Sequence, residues 1–252
     1  MGSGSANLPD AGRYTLAMPP NRLAITWLGH GTCLFRSPSG TRLLVDPWLQ
    51  RNPACPPAWH RPAPLDAILI THGHNDHTED VLSVARDTEA PIVANFEICR
   101  WLERKGLRTF HPMNKGGSHR IGDVRVTMVD ARHSSSYEEN GAVQYLGEAS
   151  GFVLRFDNAP TVYYAGDTGV FGDMRLIREL YSPEIACLPV GDVFTMGPEE
   201  AAHACSLLGV RQVLPIHHGT FPMLTGTPAD LRARVEPLGV QVLELTPGQT
   251  AE

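Results

Sequence analysis

Residues 67–77 read AILITHGHNDH, an apolar run that breaks directly into three histidines and one aspartate within six residues. Four consecutive apolar residues bounded by polar ones read as a short strand buried on both faces. Such a strand needs neighbours on either side and a cover over each face, which commits the chain to a layered arrangement of sheets and helices. The titratable cluster behind it belongs to a strand-end loop, where reactive groups tend to collect.

The same pattern recurs along the chain. Residues 23–27, 32–36 and 42–45 read as strands, the last two joined as a hairpin through 37–40. Further strands are expected at 91–94, 124–129, 151–156, 161–165, 184–190, 212–216 and 240–244, and helices at 78–86, 96–105, 173–181, 198–208 and 228–235. Pro198 opens the fourth of these helices and Gly209 lies just beyond its end. Two successive sets of strands, each interleaved with helices, fit two sheets packed face to face with helices outside. Residues 50–64 carry five prolines, too many for a helix or a central strand, and read as an ordered surface loop with Trp59 on it. Residues 1–21 read as a flexible tail and 22–252 as a single domain.

Composition narrows the function classes. With 42% hydrophobic and 19% charged residues the chain has enough apolar surface to order itself. Its formal charge of −6 and the lack of a Lys/Arg cluster give no footprint for nucleic acid. The longest apolar runs, 67–70 and 186–190, fall far short of the roughly 20 residues of a membrane span, so no membrane insertion is expected. The five cysteines (Cys33, Cys55, Cys99, Cys187, Cys205) are scattered without a CxxC, and the first residues have no charged and apolar leader pattern, so a cytoplasmic protein is expected.

Three imidazoles and a carboxylate at His72, His74, Asp76 and His77 suit two adjacent metal ions better than one, because a single tetrahedral site would be overfilled. Three more polar residues stand where apolar strands stop: His133 in DARHSSS, Asp167 in YYAGDTG and His217 in LPIHHGTF. Together with the first cluster they point to a metal centre assembled from strand ends.

At these residues the chain resembles the metallo-β-lactamase superfamily, from about Arg22 onward. HSSS at 133–136, ENGAVQYLGE at 139–148, GDTGVFGDM at 166–174 and FTMGPEEAA at 194–202 resemble a bacterial branch of metal-dependent hydrolases. That branch is similar to the ascorbate-6-phosphate lactonases and to N-acylphosphatidylethanolamine-hydrolysing phospholipase D. The resemblance implies an α+β chain folded as a four-layer αββα sandwich. It implies that His72, His74 and His133 hold one metal, that Asp76, His77 and His217 hold the second, and that Asp167 bridges both. Asp167 stands where the zinc β-lactamases carry a cysteine, which argues against antibiotic hydrolysis, and His74 stands where di-iron relatives carry a glutamate, which favours zinc, or else manganese, as the two divalent ions.

Such a centre would lower the pKa of a bridging water and use the resulting hydroxide as nucleophile. Asp76 is then a ligand that also shuttles a proton, Asp167 a bridging catalytic ligand, and His218 a donor to the intermediate. Asp46 in LLVDPW can orient a ligand imidazole. His30 in GHGT either faces the metals or caps a turn, and Asp192 in PVGD is a weaker candidate. His60, His111, His119 and His203 read as surface or structural. Residues 50–64, with Arg51, Arg61 and Trp59, and residues 134–150, with Tyr137 and Tyr145, could form a lid; with these arginines, Arg132 could recognise a phosphate or carboxylate. The expected activity is hydrolysis of a small ester or lactone, including a sugar-phosphate lactone, with a small molecule as partner and a homo-oligomer compatible. The alternatives are a phosphodiesterase or phospholipase-D-like hydrolase, and a non-catalytic metal-binding sensor.

Overall fold

The central strands are buried on both faces, and alternate side chains along each point to different interiors. Ile25, Phe35, Leu43 and Leu69 face a core shared by both sheets, whereas Leu34, Leu44, Ile68 and Ile70 face helices. The computed structural model describes residues 22–252, and the tail expected over 1–21 lies outside the described residues.

The first sheet contains β1 (Ala24–Trp27), β2 (Cys33–Arg36), β3 (Arg42–Val45), β4 (Ala67–Leu69), β5 (Ile92–Asn95) and β6 (Phe110–Met113). The chain then crosses to β7 (Ser118–Ile121) and β8 (Val124–Asp130), makes a separate hairpin of β9 (Ser136–Glu139) and β10 (Ala142–Tyr145), and continues with β11 (Ser150–Phe156), β12 (Val162–Tyr164), β13 (Ile185–Pro189), β14 (Gln212–Ile216) and β15 (Gln241–Val242). Finally β16 (Thr250–Ala251) returns to pair with β1, Ile25 opposite Ala251. The sheet orders are β16-β1-β2-β3-β4-β5-β6 and β15-β14-β13-β12-β11-β8-β7. Each sheet runs through three antiparallel pairings and then three parallel ones.

Those pairings make β1, β3 and β4 run one way in the first sheet, and β8, β12, β13 and β14 one way in the second. The loops leaving their C-terminal ends gather at one edge of the sandwich, where sheets with parallel strands commonly place ligands. The helices α1 (Asn75–Thr78), α2 (Val81–Thr88) and α3 (Phe96–Arg104) follow strands of the first sheet, and Val81, Val84, Ile98 and Trp101 cover its outer face. On the second sheet lie α4 (Met174–Tyr181), α5 (Pro198–Leu208) and α6 (Pro228–Val235), through Met174, Ile177, Ala201, Cys205 and Leu231. The four layers are those expected from the sequence.

Several local expectations are revised. The helix expected over 78–86 is two helices, α1 and α2. Asp80 breaks it, because its carboxylate accepts the amides of Leu49 (2.6 Å) and Gln50 (3.0 Å) and ties the break to the proline-rich loop. The strand expected over 240–244 pairs only at Gln241 and Val242. β6 and β7 are edge strands with little apolar alternation, and an edge tolerates Pro112. Residues 134–150 form a hairpin rather than an irregular loop; Asn140 (φ 54°) and Gly141 (φ 75°) supply the left-handed pair its tight turn requires.

The sheets are also tied at the edge opposite the strand-end loops. Asp123, between β7 and β8, accepts the hydroxyls of Ser37 (2.7 Å) and Thr41 (2.6 Å) from the β2–β3 turn. Burial raises the Asp123 carboxyl, but the hydroxyls outweigh it and hold it below the usual carboxylate range. Asp123→Ala removes the acceptor of both hydroxyls and is expected to cost about 1–3 kcal/mol, seen as a lower midpoint in denaturant unfolding. The depressed folded value makes this stabilisation complete above the usual carboxylate range and lost as the pH falls through it, so wild type and variant should converge in acid.

Candidate metal centre

The loops at the strand ends are assembled around one buried carboxylate. Asp46, directly after β3, is fully buried with φ 51°. Its Oδ1 accepts the amide of Thr71 (2.8 Å), and its Oδ2 accepts the Thr71 hydroxyl (2.7 Å) and Nδ1 of His77 (2.9 Å). His77 thereby has its proton on Nδ1 and presents a bare Nε2. The Thr71 hydroxyl has one proton and gives it to Asp46, so at 3.0 Å it accepts from Nδ1 of His72, leaving Nε2 of His72 bare as well. Burial raises the Asp46 carboxyl, opposed by His77 and Thr71.

Ring nitrogens and carboxylates converge in two groups. Nδ1 of His74 lies 3.1 Å from Nε2 of His72 and 3.3 Å from Nε2 of His133, which arrives from the loop after β8. In the second group Nε2 of His217 lies 3.8 Å from Oδ2 of Asp76, and His30, Asp76, His77 and His217 can each bring one ligand atom to a common point. Asp167, 3% exposed, stands between the groups. Its Oδ1 is 3.3 Å from Nε2 of His77, and its Oδ2 is 3.0 Å from Nε2 of His217, 3.7 Å from Nε2 of His133 and 3.9 Å from Nε2 of His72.

This chemistry fits a cation. Nε2 of His77, Nε2 of His217 and Oδ1 of Asp167 are buried and have no hydrogen-bond partner; each such atom costs about 1–3 kcal/mol when nothing satisfies it. Burial keeps His72, His74 and His133 below the ordinary imidazole range, hence neutral and able to ligate. Burial also opposes a charged His77, yet Asp167, Asp76 and Asp46 outweigh it and raise its proton affinity. Three carboxylates around one buried imidazole ask for positive charge, whether a proton or a metal ion.

Seven sequence-derived positions, His72, His74, Asp76, His77, His133, Asp167 and His217, thus lie together. His30 joins them: its ring is fully buried, its centroid lies 3.9 Å from that of His217 with the planes tilted by 43°, and its Nε2 bonds Oδ2 of Asp76 at 2.9 Å. His218 lies one residue beyond the cluster, with its ring stacked on Trp27 at 4.8 Å and burial pushing it down to about 4. Asp192 turns its carboxylate to the amide of Val193 (2.7 Å) and away from the centre. Arg51 pairs with Glu79 (2.6 Å), Arg132 with Asp130 (3.1 Å), and Tyr137 packs on Trp101. His111 and His119 stack on each other, and His60 bonds the Cys55 carbonyl.

Sequence reasoning missed Thr71, which carries the link from Asp46 to His72, and the glycines that let the loops close. A Cβ on Gly31 would lie 2.5 Å from Cε1 of His77, and one on Gly166 2.8 Å from Cβ of Thr71. Glycines bracketing His30 and preceding Asp167 were the available signal.

Comparison with known proteins follows the same lines. The family model described as a β-lactamase superfamily domain matches residues 41–218. The chain is similar to a UPF0173 metal-dependent hydrolase from Solibacter usitatus, 49% identical over 230 residues, covering 91% of this chain and 100% of the relative. It is similar to another from Rubrobacter xylanophilus, 50% identical over 219 residues, covering 86% of this chain and 90% of that one. Among solved structures it is similar to Igni18, a metallo hydrolase from Ignicoccus hospitalis, with TM-score 0.81, 31% identity, and 91% and 97% of the two chains covered. Among the described residues no helix is long and apolar enough to cross a membrane.

Gly31→Ala tests the packing of the centre. Its added methyl must displace the His77 ring from Asp46, and a loss of about 1–3 kcal/mol is expected in denaturant unfolding.

Proposed function

This chain belongs to the β-lactamase superfamily and is a metal-dependent hydrolase, and from that premise we propose that it cleaves a small ester or lactone at a centre of two divalent cations. The observation that carries the proposal is the position of Asp167 between two sets of converging ligand atoms. His72, His74 and His133 would hold one cation, Asp76, His77 and His217 the other, and Asp167 would serve both. Five imidazoles and two carboxylates without a thiolate suit zinc, with manganese as the alternative. When bound, the cations supply charge that activates a water at neutral pH and polarises the substrate oxygen.

Burial divides the work between the two carboxylates. The Asp167 side chain, 3% exposed, is almost wholly enclosed and holds the imidazoles in place. The Asp76 side chain, 27% exposed, reaches solvent, and His30 holds its Oδ2 at 2.9 Å. Asp76 is therefore the group that takes a proton from the attacking water at Oδ1 and passes it to the leaving group. His218, kept neutral by burial, donates a hydrogen bond to the substrate oxygen as it gains charge. The five unpaired, buried cysteines support a cytoplasmic setting.

Protein reloaded with zinc or with manganese should carry two metals per chain by elemental analysis. Initial rates on a small lactone and on a chromogenic phosphodiester should show turnover of the lactone; turnover of the diester alone would move the activity to phosphodiester chemistry. Asp167→Ala should stay folded, lose metal, and lose about 100-fold or more in kcat/KM; full turnover with both metals retained would refute the bridging role. Asp46→Ala should weaken metal affinity about 10–100-fold, because it frees the tautomers of His77 and His72.

A further inference from the structure

The connection between β13 and α5 puts two large apolar side chains into solvent, Val193 at 60% and Phe194 at 55% exposure. Met223, on the segment between β14 and α6, is 48% exposed. The amide of Gly226 donates to the carbonyl of Gly191 (3.3 Å) and joins the two segments. Both lie at the metal centre. Because β12, β13 and β14 are parallel neighbours, the loop leaving β13 emerges between the loop bearing Asp167 and the loop bearing His217. The Met196 amide donates to the carbonyl of Thr168, next to Asp167, at 3.1 Å. Gly191 packs so closely on the other loop that a Cβ would lie 2.1 Å from the His217 carbonyl oxygen.

The loop keeps its shape against backbone preference. Asp192 (φ 67°) and Val193 (φ 61°) are both left-handed, a conformation that β-branched residues rarely adopt. Asp192 holds it: its carboxylate accepts the Val193 amide (2.7 Å) and its carbonyl the Phe194 amide (2.6 Å). A glycine or asparagine would take this backbone with less strain. What valine adds there is apolar surface beside a polar centre, and strained backbone concentrates at ligand-contacting loops.

We propose that Val193, Phe194 and Met223 form an apolar subsite for the alkyl, acyl or aryl part of the substrate, whose hydrolysable group lies at Asp167 and His217. This rests on the hydrolytic reading above and sharpens it: the substrate is an amphiphilic ester or lactone with an apolar arm, not a phosphorylated sugar.

The test titrates zinc-reloaded full-length protein with n-alkylphosphonates from methyl to octyl by calorimetry. Each methylene seated on the subsite should tighten binding by up to about fourfold, and Phe194→Ser and Val193→Asn should flatten that dependence while leaving methylphosphonate affinity unchanged. Val193→Asn should also raise the thermal midpoint, because asparagine tolerates the left-handed backbone. Zinc-dependent binding that is equal at every chain length would overturn the subsite and leave the metal centre standing; no zinc-dependent binding by any member would overturn both. Sedimentation showing a dimer that Phe194→Ser dissociates would make a second copy the occupant and overturn the proposal.

Discussion

A carboxylate without solvent access organises the centre. An isolated buried carboxylate costs several kcal/mol, and Asp46 is made tolerable by three hydrogen bonds from Thr71 and His77. Two of these bonds also act as a template: the one from His77 keeps its proton on Nδ1, and the one from the Thr71 hydroxyl leaves that oxygen to accept from Nδ1 of His72, so both Nε2 atoms are bare. β3 and β4 are parallel neighbours paired from Leu43↔Ala67 to Val45↔Leu69, so Asp46 and Thr71 leave adjacent strand ends together. A shift of one residue in that pairing would turn these side chains to the opposite face and dissolve the arrangement.

The centre is divided between the two sheets. His72, His74, Asp76, His77, Asp46 and His30 come from loops of the first, and His133, Asp167 and His217 from loops of the second. Packing of the apolar faces between the sheets is therefore also what closes the centre. Hydrogen bonds across the gap fix the alignment: the His217 amide donates to the His30 carbonyl (3.0 Å), the Ser150 amide to the Thr71 carbonyl (3.0 Å), and the buried Tyr164 hydroxyl to the Gly31 carbonyl. Stability of the sandwich and competence of the site follow from the same interface.

Much of this was legible in the chain. Buried strands announced themselves as apolar runs, and the candidate ligands stood just beyond where such runs stopped, as with ILIT before His72 and LPI before His217. The edge strands β6, β7 and β16 were not legible, because strands partly exposed on both faces need no apolar alternation and their pairing depends on partners distant in sequence. The break between α1 and α2 was hidden for a related reason. Asp80 stops the helix by accepting amides of Leu49 and Gln50, about 30 residues away, and nothing local records that bond.

By itself the sequence determined the residue types, their order and the strands they follow, and with them the four layers and the set of imidazoles and carboxylates available to a metal. Tertiary structure alone decided which nitrogen of His72 and of His77 is bare, that His30 belongs to the cluster, that Asp167 lies between both groups while His218 stacks on Trp27, and that Asp192 serves its own loop. The reason is physical. Apolar periodicity is a local property that neighbouring residues share, whereas tautomer, burial and bridging position depend on hydrogen bonds and contacts between groups that only the packed sheets bring within 4 Å.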